Sequence, residues 1–114
     1  MEIKTDDYYM EYNAETATIS CQGSLRLKGV EEYTPIVELF EQVMKYPPQK
    51  IIFNLRGLKF LNSAGIGVIS RFVISVREKQ EIQMIIQGST KIPWQNKSLQ
   101  NLRRLMPELQ LELE

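Results

Sequence analysis

Histidine is absent from this chain of 114 residues, and cysteine occurs once, as Cys21. The first absence removes the commonest general base and the commonest metal ligand. The second excludes an internal disulfide. Aspartate occurs only as Asp6 and Asp7, in the polar N-terminal segment. A Ser-His-Asp triad therefore cannot be built, and neither can a histidine zinc site. The remaining acids are glutamates, set mostly on polar helix faces or near the C-terminal end, and no local pattern pairs two of them for acid–base work. We expect no catalytic residues, no metal, no cofactor and no enzyme activity.

Charge of either sign is not in excess. Fourteen basic residues balance fourteen acidic ones, for a formal net charge of zero. The electrostatic footprint of a protein that lives on nucleic acid or anionic lipid is missing. There is no N-terminal apolar stretch of the signal-peptide kind and no run of 18 apolar residues. The expectation is a cytoplasmic chain without direct membrane insertion. Cys21, on an apolar strand face, is expected to be an inert core thiol.

What is present is periodicity. With 43% apolar residues, a chain of this length can bury about two-thirds of its unfolded surface, and a single domain over 1–114 is expected. Tyr8, Met10 and Tyr12 alternate with polar positions, as do Ala17, Ile19 and Cys21. With 13-NAE-15 between them, this reads as a hairpin with one buried face. The tyrosines could stack on nucleic acid bases, but neutral charge favours a core role. The segment 23-GSLRLKG-29 is read as the exit from the hairpin. From Val30 the period lengthens: Val30, Tyr33, Val37, Phe40 and Met44 form a helical stripe, with Ile36 and Val43 filling in. Regular helix is expected near Pro35, with Thr34 as N-cap, ending before Pro47-Pro48.

The run 50-KIIFNL-55 predicts a central, mostly parallel strand. A short loop and a second helix over Ser63–Lys79 follow, with Ile66, Ile69, Val73 and Val76 inward and Val68 and Phe72 beside them. Then come a strand at 82–86, a third helix from about Trp94 to Leu105, and an alternating strand at 109–113. Trp94 is expected to pack at the start of that helix; exposed, it would be a docking anchor. Arg103-Arg104 complement the helix dipole. The order β-β-α-β-α-β-α-β implies an α/β fold: one mixed sheet with helices mainly on one face.

The segment 60-FLNSAGIGVI-69 carries the chemistry. Asn62 or Ser63 can cap the second helix. Gly65 and Gly67 each weaken a helix by about 1 kcal/mol relative to alanine, which suits close approach of something to the backbone. The spacing matches neither G-x-G-x-x-G nor a P-loop, so it is a poor nucleotide signature.

These residues resemble the STAS domain, the fold of anti-sigma factor antagonists. In that family a buried strand leads into D-S-S-G-L-G-V-L, which opens a helix; 62-NSAGIGVI-69 is the equivalent here. The stretch 23-GSL-25 is similar to the family's G-E-L/I. The likeness spans nearly the whole element order and is specific at 50–72. It implies a regulatory, non-enzymatic domain that docks on a serine kinase of the anti-sigma type. The kinase phosphorylates a hydroxyl at the helix start, and a PP2C-type phosphatase reverses this. The family's aspartate is Asn62 here, and the usual acceptor is Ala64; Ser63, one residue earlier, is the acceptor position of some members. The resemblance thus implies Ser63 as phosphorylation site. It also implies a partner surface around 24-SLRLK-28 and 59-KFLNSAGIG-67, formed by Leu25, Arg26, Lys59, Asn62, Ser63, Ala64, Gly65 and Gly67. S-A-G is also similar to STAS accessory subunits of lipid-trafficking ABC transporters. Small-molecule or nucleotide binding at the same junction is a third reading.

Overall fold

Alternating strands and amphipathic helices do build one sheet with a single helical layer. A computed structural model describes residues 1–114. The elements are β1 (Glu2–Lys4), β2 (Tyr8–Asn13), β3 (Thr18–Leu25), α1 (Thr34–Lys45), β4 (Lys50–Leu61), α2 (Ser63–Glu78), β5 (Gln83–Gly88), α3 (Pro93–Leu105) and β6 (Gln110–Leu113), with a 3-10 turn at Val30–Tyr33 before α1. The six strands lie side by side in chain order. β1, β2 and β3 pair antiparallel; β3, β4, β5 and β6 pair parallel. β4 is thus interior, as expected.

One face of this sheet makes the core. Tyr8 and Met10, Ile19 and Cys21, Ile51, Phe53 and Leu55, Met84 and Ile86 are all buried there, in one cluster with the inward residues of the three helices. A trio of phenylalanines ties two helices to the central strand. Phe40 and Phe72 stack at 4.2 Å between centroids, and Phe53 meets both edge-on at 5.8 and 5.9 Å; such geometry suits the ring quadrupoles. The opposite face carries Tyr9, Glu11, Ser20, Gln22, Ile52, Asn54, Ile85 and Gln87, half-buried or exposed and bare of helix.

Four expectations are corrected. β1 was not anticipated. Thr34 does not cap α1: the N-cap is Tyr33, with no side-chain cap bond. The stripe on α1 is rotated, since Ile36, Leu39, Phe40 and Val43 are buried, whereas Val37 and Met44 are half-buried and Val30 is 71% exposed. Val30 lies in the 3-10 turn, and three residues per turn there against 3.6 in α1 throws off any phase counted across the boundary.

The fourth correction matters most. The residues 23-GSL-25, read as an exit, are still β3, and 56–61, read as a loop, are still β4. The two strands stay paired to their ends, Leu25 opposite Leu61, with two register shifts: Ser20 and Gln22 face Asn54 and Gly57, and Gly23 and Ser24 face Leu58 and Phe60. Each shift inserts one extra residue into β4, a bulge. Inward positions then run Leu55, Leu58, Leu61, and the period of two disappears. On β3, Gly23 has φ +97°, and a Cβ there would collide with the carbonyl of Asp7; only glycine is at ease in that conformation.

Candidate functional site

The bulged end of β4 delivers the chain into α2. Asn62, with extended backbone, is the N-cap, and its side chain accepts a hydrogen bond from the Gly65 N–H at 2.9 Å. The same Oδ1 accepts from the Tyr33 hydroxyl at 2.7 Å, and Nδ2 donates to the Leu27 carbonyl at 2.9 Å. One amide therefore caps the helix and fastens the loop after β3 to it. An aspartate could make the two accepting contacts but not the donation.

Because Asn62 does the capping, Ser63 does not. Ser63 and Ala64 are exposed on the first turn of α2, and the Ser63 hydroxyl takes part in none of the side-chain hydrogen bonds around it. No acidic residue lies in that turn, so nothing there repels an added negative charge.

The two glycines have different reasons. A Cβ on Gly65 would run into the Leu61 side chain and come within 2.8 Å of the Tyr33 hydroxyl. Its closeness is needed internally, to seat Tyr33 against the cap. At Gly67 a Cβ would meet only the Arg71 guanidinium, at 3.6 Å. Packing within the chain does not require glycine there.

Of the residues expected on the surface, Arg26, Lys59, Ser63 and Ala64 are exposed at one end of the sheet, and Asn62 and Gly67 are half-buried beside them. Leu25 and Gly65 are corrected: both are buried, Leu25 to 1% exposure. They shape the turn from beneath and offer no side-chain surface.

Gln95 went unrecognised in the sequence, whereas Phe60 lies within the expected stretch 59-KFLNSAGIG-67 and Trp94 was expected at the helix start or as a docking anchor. Phe60 is 48% exposed, and the Arg26 guanidinium lies over its ring at 4.0 Å. Trp94 is half-buried at the start of α3, as expected there, and its indole N–H also donates to the carbonyls of Leu58 and Lys59 at 3.2 and 3.0 Å. Gln95, fully buried, donates from Nε2 to the carbonyls of Leu55 (2.6 Å) and Leu58 (3.0 Å) and accepts from the Ser89 N–H at 2.7 Å. The first turn of α3 thus satisfies the carbonyls that the bulges in β4 take out of the ladder. The unusual glutamine in an otherwise apolar inward stripe was the available signal.

The thiol of Cys21 is buried among these elements, and burial pushes its pKa up to about 12. No group of three or more metal-ligating side chains comes together anywhere in the molecule, and no helix is long and apolar enough to cross a membrane.

No protein-family model matches the sequence, and no curated protein does. Solved structures do match. Apo-SiaC from Pseudomonas aeruginosa superposes with a TM-score of 0.74 at 9% identity, covering 100% of this chain and 98% of that one. The crystal structure of the diguanylate cyclase SiaD in complex with its activator SiaC, also from P. aeruginosa, gives 0.73 at 10% identity, covering 100% and 99%. An anti-sigma factor antagonist from Mycobacterium paratuberculosis gives 0.59 at 15% identity, covering 96% and 82%. At these identities the likeness is one of architecture: the chain has the STAS-like fold of an anti-sigma factor antagonist, shared over its full length with SiaC.

Proposed function

We propose that this chain is a non-catalytic regulatory domain that docks on a signalling protein through the turn at the start of α2, and that phosphorylation of Ser63 controls the docking. The observation that carries the reading is the division of labour at the turn. Asn62 holds the cap, which leaves the neighbouring Ser63 hydroxyl exposed and uncommitted. A hydroxyl that held the helix would be a poor acceptor, because modifying it would undo the cap. A phosphate adds about −1.5 to −2 charge, and the helix N-terminus favours negative charge at its free N–H groups. The domain can carry the group without unfolding. A partner packed over Ser63 would have to desolvate a dianion, and would be released.

The partner class follows the fold. A serine kinase of the anti-sigma type and a PP2C-type phosphatase fit the antagonist likeness. A signalling enzyme of another kind fits the SiaC likeness, since SiaC is the activator of a diguanylate cyclase. Both act in the cytoplasm by this reading, and neither requires a cofactor on this chain.

Phosphopeptide mass spectrometry on protein taken from its native cells tests the proposal. Phosphate at Ser63 is the expected result. Ser63→Ala should change stability by no more than about 0.5 kcal/mol, as for an exposed residue outside any special contact, and should bind the partner without release by the kinase. Ser63→Glu, with one charge, should weaken the complex less than phosphate does. An unmodified Ser63 together with full partner binding by Ser63→Glu would sink the switch.

A further inference from the structure

We infer that the recess between Arg26, Phe60 and Trp94 is a receptor for a carboxylate side chain of the docking protein, with Phe60 taking an apolar residue beside it. The inference deepens the docking role and rests on that reading.

The recess is shallow, about 310 Å³, and Leu61 and Asn62 complete its lining. A single exposed phenylalanine is ordinary on a protein surface. Phe60 is not ordinary in how it is held. The second bulge in β4 turns it outward, and Trp94 clamps the carbonyl of the preceding residue. Arg26 is placed by the same register: Leu25 lies opposite Leu61, and Arg26 and Asn62, the residues that follow them, line the recess together. Parallel neighbours are about 4.8 Å apart.

Arg26 has no partner of its own. The molecule's single ion pair is Arg56 with Glu114, at 3.5 Å. Arg26 rests on the Phe60 ring, and a stacked guanidinium keeps its donor fork free and already oriented. Lys59 is exposed beside it and Lys28 two residues on. The nearby Glu32 is engaged, its carboxylate accepting from the Lys28 N–H. An uncovered arginine fork calls for a carboxylate, which it grips with two parallel bonds. Arginine is also among the residues enriched in binding hot spots. A polyanion is the weaker match, because Arg26 is the one charged side chain lining the recess.

The probe is a displayed library of random 12-residue peptides, selected on the intact protein. Peptides with Asp or Glu next to an apolar residue should be enriched. Their affinity should fall at least tenfold in Arg26→Gln and in Phe60→Ala, and less in Arg26→Lys, which keeps charge but loses the fork. Unchanged melting temperatures of the Arg26 variants exclude a folding defect. Selection of no acidic peptide, affinity indifferent to Arg26→Gln, or equal binding of a single-stranded oligonucleotide would overturn the inference. Gly67→Trp and Ser63→Glu separate it from the wider reading. Acidic peptides that need Arg26 but ignore both changes leave the recess standing and refute docking at the turn. Peptides blocked by both changes but indifferent to Arg26 do the reverse.

Discussion

Asn62 serves three contacts with one side chain, and its loss should be felt beyond a simple cap. A cap is worth about 1 kcal/mol. Asn62→Ala also removes the shorter of the two acceptors of the buried Tyr33 hydroxyl, leaving it the Leu25 carbonyl at 3.5 Å, and removes the donor to Leu27; a poorly satisfied buried group adds up to about 1–3 kcal/mol. A loss of roughly 2–3 kcal/mol is expected, read as a lower urea midpoint at constant m-value; a change under about 0.5 kcal/mol would contradict the geometry. The glycines give an opposed pair. Gly65→Ala forces a Cβ into Leu61 and Tyr33 and should destabilise by about 1–3 kcal/mol. Gly67→Ala meets only an ordinary van der Waals contact with the Arg71 guanidinium and should stabilise the free protein by up to about 1 kcal/mol. Chemical denaturation of both variants checks the signs. If Gly67→Ala stabilises the fold and weakens the complex, the glycine is there for the partner.

Among the elements, those with a clean period were legible and those whose period is broken were not. The N-terminal hairpin, the three helices and the interior place of β4 follow from alternation and helical stripes. β1, three residues long, is too short to show a period. The far half of β4 was hidden because two bulges move its inward residues from every second to every third position, Leu55, Leu58, Leu61. The site was legible where a local motif carries it: Ser63 and Ala64 at an exposed helix start. It was not legible where a distant segment completes it. Nothing near Phe60 announces that Arg26 will cover it, or that Tyr33 will share the cap. Gln95 is the clearest case, since the carbonyls it donates to lie 37 to 40 residues away. Gln95→Leu keeps the size but strands the carbonyl of Leu55 and the N–H of Ser89, and leaves the Leu58 carbonyl to Trp94 alone. It should cost about 2 kcal/mol or more and speed hydrogen exchange across 55–62 ahead of the strand's first half. Uniform exchange along β4 would show that α3 does not hold the bulges.

Taken whole, the molecule should be sensitive to alkali. Burial raises Cys21 to about 12 from an ordinary 9.0, and burial raises Tyr8 and Tyr33 above 10.0 as well. Each is neutral when protonated, so above pH 9 the unfolded chain releases protons that the folded chain retains. Stability should be flat up to about pH 9 and fall from there towards pH 12. Cys21→Ser or Cys21→Ala should remove the earliest part of that fall, measured by urea midpoints at stepped pH; an identical profile in both variants would reject the assignment. Charge is neutral overall, so net charge gave no sign that Arg26 would stand exposed and outside any ion pair at the recess. A last consequence comes from strand order, which is the order of the chain itself. As a ribosome releases the polypeptide N-terminus first, every new strand joins the edge made by the one before it, and none must wedge between two already paired. The sheet can lengthen by simple addition throughout synthesis, always at the edge away from β1, and from β3 onward a helix follows each strand to cover its apolar side before the next strand appears.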